Sequence, residues 1–282
     1  MKKGFVCLAV LVFLGDILLK LRFSGNLAND ISGIIGAFIL SFLTLLLVKG
    51  VIYVLSRSSF RLKNAVCFAF SVLALLFLLV ISLFTLYNFS RFAAPVMLST
   101  NNIFFPFLIM LAISLLLGVS GKKVFFKLSL ITLPIAAVII IIMAAFSVQF
   151  MSLKYLIPYK SVDASFIEIL FPLYLNLTAS LLPLFLLQNK TITKTFCASY
   201  SLTFFIIGIC VLNVLGIFGS EFASTLNYPY SLAVSTASMG EIFSRLDGFF
   251  YAICFFTVLL KTGLCIYTFK ETLKKLINTI KQ

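Results

Sequence analysis

Eight apolar runs, near residues 4–21, 31–55, 65–87, 102–119, 124–149, 164–187, 196–219 and 248–269, constrain this chain more than any other feature. At about 1.5 Å per residue, each is long enough as an α-helix to cross about 30 Å of hydrocarbon. The runs are continuous rather than alternating. That argues against a membrane β-barrel, whose strands carry a period-two pattern in pieces of about ten residues. With 62% hydrophobic and 11% charged residues, 282 residues hold more apolar surface than a soluble domain hides. The expectation is an all-α integral membrane protein of about eight transmembrane helices in one domain, residues 1–282.

The net charge of +14 follows from topology rather than from a nucleic-acid partner. If the chain starts inside, one side collects Lys2 and Lys3, the turn from Lys49 to Lys63, Lys122 to Lys127, Lys190 and Lys194, and the tail from Lys270 to Lys281. The other side keeps Lys20, Arg22, Arg91, Lys154, Lys160 and Arg245. Both termini are therefore expected in the cytoplasm. The six cysteines form no C-x-x-C pair and the chain has no histidine, so neither a common metal site nor the commonest general base is in view. Without a paired-carboxylate or nucleophile motif the chain does not read as an enzyme, and no cofactor is expected. MKKGFVCLAVLVFLGD has the basic start and apolar core of a signal peptide but no A-x-A cleavage site, so it is expected to remain as the first span.

Two spans are irregular. The first carries Gly15 and Asp16 near its middle. This is either a broken helix with exposed backbone groups that line a cavity, or the point where the lipid span ends and Asp16 meets the headgroups. The sixth span, FIEILFPLYLNLTASLLPLFLLQ, contains Pro172 and Pro183, with Asn176, Thr178 and Ser180 between them, and reads either as a proline-broken ligand seat or as a simple proline kink whose hydroxyls bond their own helix. Glu168, near its outer end, is expected at the interface. Spans one and six lie five apart, the spacing of two inverted five-helix repeats whose broken members meet at the midplane. In the second span Gly33, Gly36, Ala37 and Ser41 form a small-residue face for close packing. Residues 220–246, between spans seven and eight, are too long for a tight turn and read either as a re-entrant helix over an outward cavity or as a lipid-surface helix.

The eighth span carries one lysine, Lys261, well inside it. A lone ammonium there costs about 2.5–3.5 kcal/mol on insertion scales and should face protein, water or a ligand. The residues leading into it, Tyr228–Pro229, Gly240-x4-Arg245-x-Asp247, Lys261 and Tyr267, resemble the spore germination permease family, the membrane-spanning B subunits of nutrient germinant receptors within the amino acid/polyamine/organocation transporter superfamily. A looser resemblance runs through FLGDILL, LGVSGKK and LKYLIPY, and so covers nearly the whole chain. Relatives usually have arginine at the place of Ser235 and tryptophan at that of Cys254, and they continue for two more helices past the place of Gln282. The resemblance implies a truncated leucine-transporter-like inverted-repeat fold. It also implies a protein of the spore inner membrane that binds small nutrients such as amino acids and works with an A subunit and a lipoprotein C subunit. An amino acid permease and a truncated remnant are the other readings.

In such a fold the eighth helix packs beside the first, where members of the wider superfamily place a sodium ion, so Lys261 is expected to substitute for that ion. Counting along the spans puts Asp16 about 18 Å from the inner face and Lys261 roughly 9 Å from it. The gap favours carbonyls of the first helix over Asp16 as partners of the ammonium. The expected ligand seat uses Gly15, Asp16, Pro172, Tyr174, Asn176 and Thr178. Arg245 and Asp247 stand at the outer mouth, with Asp247 favoured at a helix start by the macrodipole.

Overall fold

A computed structural model of the chain describes residues 2–15, 17–56, 60–157, 161–187, 193–236 and 246–280. Among these residues the structure is helical, with no strand. The helices are α1 (Lys2–Leu14), α2 (Ile17–Lys20), α3 (Leu27–Ser56), α4 (Phe60–Met97), α5 (Phe104–Val119), α6 (Lys122–Ser147), α7 (Phe166–Leu187), α8 (Thr193–Thr225), α9 (Pro229–Thr236) and α10 (Leu246–Ile280). Six of them, α3, α4, α6, α7, α8 and α10, are long and apolar enough to cross a membrane. Helices α1 and α5 are shorter apolar segments. Together they account for all eight expected spans, with α1 and α2 sharing the first.

Helix α1 is the axis of the bundle. Its residues from Leu8 to Leu14 are each 0% exposed, and it packs on α6, α7, α8 and α10. A helix apolar on every side needs such complete enclosure. The outer helices turn large apolar side chains outward instead, among them Leu47, Leu73, Leu116 and Ile131. Lipid is the solvent that such a surface fits. The small-residue face of α3 meets α7 as expected: a Cβ on Gly33 would stand 3.0 Å from Ile169 Cβ, and one on Gly36 2.8 Å from Leu170 Cδ1. Cys210, Cys254 and Cys265 are buried in the apolar packing.

Two open readings narrow. Helix α7 runs unbroken through Pro172 and Pro183. Each proline removes one backbone donor, but packing along α3 holds the helix, and lipid penalises any backbone group left unpaired. The hydroxyls of Thr178 and Ser180 turn back to the carbonyls of Tyr174 and Asn176, at 2.8 Å each. The segment after α8 contains a buried helix rather than a lipid-surface one. Pro229, whose missing N–H costs nothing at a helix start, opens α9, and Tyr230, Ala233 and Val234 pack it against α8 and α10.

A polar knot ties the loops at one end of the bundle. Asn26 caps α3 by accepting the Ala28 N–H at 3.1 Å, while its amide donates to Ser161 O at 2.9 Å. Asn29 donates to Asp163 Oδ1 at 2.7 Å and accepts from the Asp163 N–H at 2.9 Å. Buried Asp30 accepts from Ser24 N at 2.7 Å and from the Ser220 hydroxyl. Ser220 follows Gly219, whose φ of +70° kinks α8. The knot thus fixes the α2–α3 loop against the entry to α7 and the bend in α8.

Candidate functional site at the break in the first helix

Helix α1 stops at Gly15, whose N–H completes the last turn to Leu11 O at 2.9 Å, and α2 starts at Ile17. The reading of a broken helix is the one that fits this arrangement, because both halves are buried: Leu14 is 0% exposed and Ile17 1%. Asp16 itself lies outside the described residues.

Lys261 comes from α10 and is 1% exposed. Its stem lies on Gly15: a Cβ built there would stand 2.8 Å from Lys261 Cδ and 3.7 Å from Nζ. Only glycine leaves that space. The ammonium meets Asn176 Oδ1 of α7 at 3.4 Å. One turn earlier on α10, the Thr257 hydroxyl donates to Gly15 O at 3.2 Å and to Cys254 O at 3.0 Å. Three elements therefore converge on the break: α1 with a carbonyl, α7 with an amide, α10 with a hydroxyl and a cation. Against the break, α2 and α7 enclose a cavity of about 20 Å³, with Arg22, Glu168, Pro172 and Asn176 in its wall. That is room for about one water.

Lys261 packs against the first helix at Gly15, the helix it is expected to brace, although the depth count set it about 9 Å from the level of Asp16. That count took the ends of apolar runs for the ends of helices, and α10 continues to Ile280. The expected ligand seat is also divided. Pro172 and Asn176, four residues apart, share the face of α7 that lines the cavity. Tyr174 and Thr178 each lie two residues, about 200° around the helix, from Asn176. The Tyr174 hydroxyl pairs with Thr44 of α3 at 3.0 Å, and Thr178 bonds to its own helix. With α7 continuous there is no half-helix end at Pro172 to meet a carboxylate. Asp247 sits in the first turn of α10, where its carboxylate accepts the Gly248 N–H at 2.8 Å. Arg245 lies outside the described residues.

Sequence reasoning passed over Thr257, although its spacing of four from Lys261 on a helix puts both on one face. It also passed over Arg22 and Arg91 except as topological charges. Both line a second cavity of about 380 Å³, together with Asn88, Asn101, Asn227 and Tyr228. Tyr228 donates to the Arg91 carbonyl at 3.3 Å. Burial pushes the Tyr228 phenol above its ordinary range, and the Arg91 guanidinium works against that rise.

A bundle of apolar helices around a broken, enclosed first helix defines a multi-pass membrane protein. The chain belongs to the spore germination protein family, whose sequence profile matches residues 6–282. No curated protein and no solved structure matches the chain. Membership points to germination and to sensing or transport of nutrients rather than to an enzyme.

Proposed function

We propose that the chain is the membrane subunit of a spore nutrient germinant receptor, which binds small nutrients such as amino acids at the break in its first helix and signals germination. The observation that carries this reading is the buried ammonium of Lys261 packed on Gly15 and joined to Asn176. By the family resemblance, a cation so placed would take the role of a transporter's coupling ion and brace the break without one. Nutrient that settles beside it adds contacts in one arrangement of α1, α7 and α10 and not in another. Sensing needs only this difference in affinity between two states.

The receptor reading carries its partners with it: an A subunit, a lipoprotein C subunit and the bilayer of the spore inner membrane, with both chain termini in the cytoplasm. The cavity at the break, about 20 Å³, holds no amino acid in this arrangement, so binding requires α2 and α7 to part. A labelled amino acid pool offered to the purified chain in proteoliposomes tests the reading. Saturable binding without net uptake is expected; concentrative uptake would make the chain a permease instead. Failure to co-purify with an A-type subunit from spore membranes would remove the receptor assembly.

A further inference from the structure

The second cavity, about 380 Å³, opens where α4 ends and α5 begins, and its size falls among small-molecule sites of about 300–1,000 Å³. Four separate pieces of chain build it: Arg22 after α2, Asn88 and Arg91 on α4, Asn101 before α5, and Asn227 and Tyr228 before α9. Asn88 and Arg91, three residues apart on a helix, face the same way. The wall thus holds two guanidinium groups and three primary amides, and among the described residues that line it there is no carboxylate. Guanidinium stays charged at any physiological pH and presents paired donors that match an oxyanion. A concave wall of one sign also concentrates counter-ions from solution. Arg22 lines this cavity and the small one at the helix break as well, so the two spaces share a side chain.

We propose that this vestibule is a capture site for small carboxylate-bearing molecules arriving from water, distinct from the seat at the helix break, with Arg91 and Arg22 as its oxyanion ligands. The amides of Asn101 and Asn227 donate to the same anion, beside Asn88, whose amide nitrogen already gives one proton to Phe84 O at 2.6 Å, and Tyr228 holds the α4 backbone at Arg91 through its carbonyl. A lipid phosphate offers the same oxyanion chemistry. The vestibule selects against it by what fills the remaining volume, since a free carboxylate enters whole and a lipid must bring its tails to the rim.

The chain has no tryptophan, so Ile103→Trp, in the vestibule wall, creates a single fluorescent reporter. Iodide, an anion, and acrylamide, which is neutral, are the quenchers, and acetate is the probe carboxylate, all at constant ionic strength. The full chain is held in phosphatidylcholine nanodiscs. Arg91→Gln or Arg22→Gln is expected to lower iodide quenching by about threefold or more and leave acrylamide quenching unchanged. Acetate should protect the reporter from iodide in a saturable way in the parent, and much less in Arg91→Lys, which keeps the charge and loses the paired donors. Asn101→Asp, at an exposed position, adds a carboxylate without removing an arginine and should suppress iodide quenching even if an arginine variant fails to fold. Equal iodide quenching in the parent and in the folded variants overturns the proposal, as does the lack of acetate protection. Protection seen in maltoside micelles, which carry no phosphate, but abolished in phosphatidylglycerol discs assigns the site to lipid and overturns it too.

Discussion

At the scale of the residue, a buried lysine is tolerable only when its surroundings repay the loss of water. Lys261 gains an amide oxygen at 3.4 Å and a stem enclosed against Gly15. Lys261→Met keeps the length and apolar volume, deletes the charge and takes the ammonium donor from Asn176 Oδ1, a loss of about 1–3 kcal/mol. We predict an unchanged amount of protein in spore membranes and a nutrient response lost by at least about tenfold; spores that germinate normally with this variant would sink the bracing role. Gly15→Ala places a Cβ 2.8 Å from Lys261 Cδ. Overpacking of this kind costs about 1–3 kcal/mol. The cost should shrink in a Lys261→Ala background, where the opposing atoms are gone, and thermal melts of the four solubilised proteins measure that coupling. Lys261 and Gly15 were both visible in the sequence, one as a charge in an apolar run and the other as a glycine beside a carboxylate. That Lys261 meets the first helix was expected; that its stem lies on Gly15 itself was not, because apolar runs do not mark where helices end.

At the scale of the element, the two suspected breaks came out differently. The first helix does stop at Gly15, whereas α7 continues through both of its prolines. A proline reports a missing donor, not whether neighbouring helices hold the chain straight across it. Once α7 is continuous, its period of 3.6 sorts the polar residues: Asn176 goes to the site, and Tyr174 and Thr178 go elsewhere. The kink that the sequence did not announce is in α8 at Gly219, where φ is +70° and a Cβ would stand 3.0 Å from the Tyr155 ring. Gly219→Ala should cost about 1–3 kcal/mol for a positive-φ, extended-ψ backbone that is essentially confined to glycine, seen as a lowered melting midpoint. A midpoint equal to the parent's would mean that the kink is not needed for the fold.

Across the whole molecule, loops far apart in the chain are joined by polar groups that each looked like ordinary loop residues. Asn29 is 0% exposed and binds Asp163, so it couples the start of α3 to the start of α7. Asn29→Ala removes the acceptor of the Asp163 N–H and one of several donors to its carboxylate, and should destabilise the protein by about 1–3 kcal/mol, which equilibrium unfolding in mild detergent would register. A negligible loss would show the knot to be incidental. Residue patterns alone show an all-helical membrane protein with an irregular first span and one lysine deep in an apolar run, because lipid requires long apolar runs and penalises each exception. Its motifs placed it with the spore germination proteins. Only the tertiary structure decided which exceptions meet: Lys261 with Gly15 and Asn176, and Arg22 with Arg91 across a cavity. The reason is physical: hydropathy reports the solvent of each segment, and that solvent is the same for every helix in the bilayer. It carries no record of which face of one helix turns toward another.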